Sequence, residues 1–120
     1  MKKRILIADD DIELCEEMTE IFKANDYTVD NESDGLSCES AVRKNKYDIF
    51  ILDYKMSGLN GIEILKIIKS KDPQAKVFII TGKHNIKEML DTENASGLVD
   101  GFLNKPFDIE DFIKQIKNIK

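Results

Sequence analysis

Three aspartates stand in a row in IADDDIELC, residues 7–15, at the end of an apolar run, and Asp53 ends a second such run, DIFILD. Neighbouring carboxylates repel one another and resist full ionisation unless a cation neutralises them. Donors made only of oxygen suit a hard divalent ion; Mg²⁺ takes one or two carboxylates, keeps several waters and shares a phosphate. Asp10 and Asp53 read as direct ligands and Asp9 as one acting through water. Asp11 falls at the start of a helix, where a negative charge is welcome as a cap. Thr81 ends a third apolar run, KVFIIT, and Lys105 directly follows a fourth, VDGFLN. A metal, a fixed cation and a hydroxyl around one carboxylate suit phosphoryl transfer, in which the protein mainly positions groups and neutralises charge. A carboxylate can itself be the nucleophile, giving an aspartyl phosphate. Asp53 is central, and that role is assigned to it.

These side chains need elements that bring them together. Short apolar runs at 4–8, 27–31, 48–53, 76–81 and 99–104 read as strands, three of them almost continuously apolar. Strands covered by helices on both faces read that way. Between them the period lengthens: Ile12, Cys15, Met18, Ile21 and Phe22 share one helical face, as do Ile109, Phe112, Ile113, Ile116 and Ile119. Asn60 and Asp108 are placed to cap helices, and further helices are expected over 35–45 and 84–95. Alternation of this kind predicts an α/β domain with a five-stranded parallel sheet flanked by five helices and joined by right-handed crossovers. In a doubly wound sheet of order 2-1-3-4-5, ligands bind beyond the carboxyl ends of the strands, between the first and third. Those two strands end in the aspartates. With no Gly/Ser-rich linker or low-complexity tract, residues 1–120 read as one domain.

Composition narrows the partners. A net charge of −5 gives no electrostatic case for gripping nucleic acid directly. No apolar run approaches the roughly 20 residues of a membrane span, and only ILIA follows the basic Met1–Arg4 before the aspartates, too little for a secretory signal. A cytoplasmic protein is expected. Cys15 and Cys38 lie in helical stretches without CxxC spacing and read as packing residues; His84, the only histidine, reads as a surface residue.

Four segments, ILIADDD, DIFILDYKMSGLNGIEIL, VFIITGK and GFLNKPF, together resemble the receiver domain of two-component response regulators, in order and in spacing, from Arg4 to Ile119. The resemblance implies a flavodoxin-like fold and a phosphorylation-switched role in a phosphorelay. Asp53 would accept a phosphoryl group from a phosphohistidine on a sensor histidine kinase or a histidine phosphotransfer protein. Asp9, Asp10, Asp53 and the backbone carbonyl of Lys55 would hold Mg²⁺, for which Mn²⁺ could substitute. Lys105 would pair with the phosphoryl oxygens, followed by a cis bond to Pro106. Thr81 and Phe102 match the family's switch pair, through which the surface of the fourth helix, fifth strand and fifth helix changes its preference for a downstream protein or effector domain. Lys55 and Lys83 stand at positions that flank the phosphoryl group, where Lys55 is expected to obstruct water and lengthen the phosphorylated state. The chain would be a monomer or weak dimer with no turnover of a separate substrate.

The sequence departs from the family pattern at three points. Ser57 stands where proline is common, Phe102 has no hydroxyl, and the stretch from Thr81 to Lys105 is one or two residues longer than usual. The nearest alternative is an Mg²⁺-dependent phosphatase of the haloacid dehalogenase type, which needs an acid two residues after its nucleophile. Lys55 occupies that place. A flavodoxin would need backbone donors for an anion after the first strand, where three aspartates would repel it.

Overall fold

The computed structural model describes residues 2–119. Ten elements alternate along the chain: β1 (Arg4–Ala8), α1 (Ile12–Ala24), β2 (Thr28–Glu32), α2 (Gly35–Lys44), β3 (Ile49–Asp53), α3 (Gly61–Lys71), β4 (Lys76–Thr81), α4 (Ile86–Thr92), β5 (Gly101–Asn104) and α5 (Ile109–Lys117). All strand pairs are parallel and the sheet order is β2-β1-β3-β4-β5, as expected. The continuously apolar strands are the inner ones: every residue of β3 is buried, and β1 and β4 are buried except for their half-buried first residues.

Side chains alternate across each strand and so build two cores. On one face Leu6, Phe50, Leu52, Val77 and Ile79 meet Val42 of α2, Ile64, Leu65 and Ile68 of α3 and Leu90 of α4. On the other, Ile5, Ile7, Ile51, Phe78 and Ile80 meet Met18 and Phe22 of α1 and Phe112 and Ile116 of α5. Phe112, fully buried, meets Phe22, Phe78 and Phe107 edge-on at 6.3, 5.5 and 5.6 Å. Such pairs each add about 0.5–1.5 kcal/mol beyond the area they bury.

Capping fixes where the helices begin. Asp11, Asp34 and Asp108 accept from the backbone N–H three residues on, and Asn60 with Glu63 forms a reciprocal capping box. The α2 and α3 starts are also pressed against the β3–α3 loop. A Cβ on Gly35 would come within 2.0 Å of the Leu59 carbonyl oxygen, and one on Gly61 within 2.7 Å of that of Asp53.

The region around α4 differs from expectation. A helix over 84–95 and a strand from residue 99 were predicted; α4 covers only Ile86–Thr92 and β5 begins at Gly101. Asn85 offers α4 no side-chain cap, and Asn94 turns the chain with φ 57°. Asp100 is held out of the β5 ladder: its backbone N–H donates to the Val77 carbonyl, while its carboxylate accepts from Val77 N–H at 2.7 Å and Lys69 Nζ at 3.0 Å. At the opposite edge β2 runs one residue later than expected, because the Tyr27 N–H donates to the Phe22 carbonyl at 3.1 Å in the turn that closes α1.

Candidate functional site

The carboxyl ends of β1, β3 and β4 bring the polar residues to one place. Asp9 follows β1 and is fully buried; Asp53 ends β3 with 5% of its surface exposed; Thr81 ends β4 at 1%. Asp10 is exposed at the rim. One carboxylate oxygen from each of Asp9, Asp10 and Asp53 lies within 4.8 Å of the others. Lys105 reaches in from the loop after β5, its Nζ 2.8 Å from Asp9 Oδ2 and 3.6 Å from Asp53 Oδ2. Its own N–H donates to the Thr81 carbonyl at 2.7 Å, and its bond to Pro106 is cis.

Asp9 is oriented from several sides. Its Oδ1 accepts from Asp11 N–H at 2.9 Å, its N–H donates to the Glu32 carbonyl, and its carbonyl accepts from the Cys15 thiol at 3.3 Å. Its other oxygen, Oδ2, is buried, close to the Lys105 ammonium but without a well-directed hydrogen bond. The electrostatics carry the mark of this crowding. Burial, then the charge of Asp9, pushes the Asp53 carboxyl up to about 7, with Lys105 pulling the other way. Burial works against charge on Lys105, yet its contact with Asp9 and the charge of Asp53 prevail and raise its pKa. Burial and the neighbouring Asp9 push the Cys15 thiol to about 12.

Three carboxylates facing one lysine leave the cluster with surplus negative charge, and Asp9 Oδ2 with unused acceptor capacity. A hard divalent cation answers both, so the residues present fit Mg²⁺. The remaining residues singled out from sequence lie close by in the chain but not in the buried cluster. Lys55 is exposed on the β3–α3 loop, and Lys83 is exposed on the β4–α4 loop, where its N–H donates to Thr81 Oγ1 at 3.0 Å. Phe102 is 41% exposed on β5. Two contributors escaped the sequence reading. Cys15, read only as a packing residue, also fixes the Asp9 main chain. Asn104 was not singled out at all; its side-chain amide donates to the Lys83 carbonyl at 2.7 Å. A polar residue immediately before Lys105 was the only available hint.

Comparison with known proteins identifies the family and the fold. The sequence matches the family described as response regulator receiver domain over residues 5–117. It is 32% identical over 117 residues to sporulation initiation phosphotransferase F of Bacillus subtilis, covering 98% of this chain and 93% of that protein. Other curated relatives, at 25–27% identity, are regulators of which the chain spans about half the length. Among solved structures, a CheY-like receiver domain protein of Methanospirillum hungatei superposes with a TM-score of 0.88 at 24% identity, covering 98% of this chain and 92% of that one. The response regulator TrrA of Thermotoga maritima, solved in complex with Mg²⁺–BeF, superposes at 0.82 with 26% identity, covering 98% and 97%.

Proposed function

The chain belongs to the response regulator receiver domain family, and from that premise we propose which of its residues carry the phosphorylation switch. Receiver domains are phosphorylation-switched signalling modules, and here Asp53 is the phosphoacceptor. The observation that carries this assignment is the placement of Lys105 Nζ against both Asp9 and Asp53, with Asp53 nearly buried at the end of the central strand.

Asp9, Asp10, Asp53 and the Lys55 carbonyl would hold Mg²⁺, the metal present with BeF in the TrrA complex. When bound, the ion supplies positive charge to the phosphoryl oxygens as the transfer proceeds. An Asp53 carboxylate oxygen attacks the phosphorus of a phosphohistidine on a sensor kinase or a phosphotransfer protein. The new O–P bond forms as the N–P bond breaks, and the electron pair leaves on the imidazole, which then takes up a proton. Lys105 exchanges part of its pairing with Asp53 for the transferred phosphoryl group. The Thr81 hydroxyl turns toward that group, Phe102 moves inward behind it, and the α4–β5–α5 surface changes its preferred partner. This is a shift between two states of one chain, driven by a covalent modification.

Residues 1–120 act as one cytoplasmic receiver unit, without turnover of a separate substrate. Among the described residues no helix is long and apolar enough to cross a membrane. The haloacid dehalogenase alternative draws no support: Lys55 stands exposed where that chemistry needs an acid. Incubation with acetyl phosphate and Mg²⁺, followed by intact mass, tests the proposal. One phosphoryl group is expected, absent when chelator is present during the incubation and absent in Asp53→Asn. Full labelling of Asp53→Asn, or turnover of ordinary phosphomonoesters by the wild type, would overturn it.

A further inference from the structure

Asn104 takes no part in the chemistry above, yet it stands between the two halves of the switch. In the β4–β5 ladder it is the partner of Thr81, and Phe102 is the partner of Ile79. Alternation along the strand puts Phe102 and Asn104 on one face of the sheet. From there the Asn104 amide Nδ2 donates to the Lys83 carbonyl at 2.7 Å, while the Lys83 N–H donates to Thr81 Oγ1 at 3.0 Å. Two hydrogen bonds in series therefore run from the end of β5, through one residue of the β4–α4 loop, to the switch hydroxyl.

Little else holds that loop. A Cβ on Gly82 would meet nothing within 4 Å, Lys83 and His84 are exposed, and Asn85 makes no side-chain cap for α4. The Thr81 main chain, by contrast, is fixed, because its carbonyl accepts from Lys105 N–H at 2.7 Å. A turn of the Thr81 hydroxyl toward Asp53 must therefore come from its side chain together with the loop beyond it. Moving Oγ1 gives up the bond from Lys83 N–H, and any following shift of Lys83 strains the bond to Asn104.

We propose that Asn104 is a positioning residue for the switch: its amide ties the β4–α4 loop to the end of β5 and holds Thr81 in its resting turn. The inference rests on Thr81 being the switch hydroxyl. Removing the tie enlarges the fraction of molecules competent to engage a phosphoryl group, and apparent affinity for such a group follows that fraction. The net worth of one exposed hydrogen bond sets the size of the effect at about two- to tenfold.

The test is calorimetric titration of the Mg²⁺-loaded protein with beryllofluoride, a phosphoryl mimic. It is applied to wild type, Asn104→Ala, Asn104→Leu (which keeps the approximate shape but lacks the donor and adds no charge), and both substitutions in a Thr81→Ala background. The single variants are expected to bind about two- to tenfold more tightly, with affinity for Mg²⁺ alone unchanged and no gain in the Thr81→Ala background. Unchanged or weaker binding overturns the inference. So does an equal gain without Thr81, or a parallel change in Mg²⁺ affinity, which would mark a merely structural role. Wild type and Asp53→Asn binding the mimic alike would overturn the assignment of Asp53 itself, and this inference with it.

Discussion

Asp53→Asn should stabilise the metal-free protein, and the size of the gain follows from the crowding of the site. Burial and Asp9 raise the Asp53 carboxyl from 3.8 to about 7. A carboxyl raised on folding favours the native state in its protonated form; that benefit is complete below its unfolded pKa and is lost as pH rises through the folded value. Between about pH 4 and pH 7 the native protein therefore surrenders about 4 kcal/mol, at about 1.4 kcal/mol per pH unit. The side chain is only 8% exposed, so solvent screens little of this. Asparagine keeps the shape and carries no charge, and it leaves the Lys105–Asp9 pair in place. Urea unfolding in chelator at pH 8 should show the variant more stable by about 2–4 kcal/mol, a rise of more than about 1 M in midpoint. At pH 4.5 the difference should shrink below about 1 kcal/mol. Mg²⁺ at ten times its Kd should return about 1.4 kcal/mol to the wild type and nothing comparable to the variant. A variant less stable at pH 8, or a difference independent of pH, would refute the electrostatic account.

Further outcomes follow from individual residues. Asn60→Ala removes one arm of the α3 capping box and should cost about 1 kcal/mol, read by urea unfolding. Phe112→Ala empties a fully buried position ringed by three aromatic rings and should cost about 3–5 kcal/mol in the same measurement. Cys15 and Cys38, both buried and pushed to about 12, should resist a thiol reagent at pH 8 until the protein is unfolded. Lys55→Asn should shorten the lifetime of the phosphorylated protein severalfold, timed by intact mass after removal of the donor; equal lifetimes would dispose of a shielding role.

The parts of the molecule legible in its sequence are those set by local pattern. β1, β3 and β4 announce themselves as unbroken apolar runs because helices cover both their faces, and α1 and α5 by stripes that meet one core, except for Ile12 at the start of α1, which is exposed. The aspartates, Thr81 and Lys105 were visible because they stop those runs, and strand order then dictates that the stops converge. What stayed hidden depends on partners far away in the chain. Asp100 lies within an apparent strand but is claimed by Val77 and Lys69, and α4 stops short where Asn94 turns the backbone. The Cys15 bond to the Asp9 carbonyl and the Asn104 bond to Lys83 are likewise invisible to periodicity, since each depends on how a loop sits against a neighbouring element.

The central claim is that the side chain at position 53 becomes an acyl phosphate. Borohydride reduces such a group to the alcohol, so the phosphorylated protein should yield homoserine at its acceptor on peptide sequencing by mass. Homoserine at residue 53 alone, formed only when Mg²⁺ was present during labelling, is the predicted result. Homoserine at residue 9 or 10, or a phosphoryl group recovered intact on His84, would contradict the account.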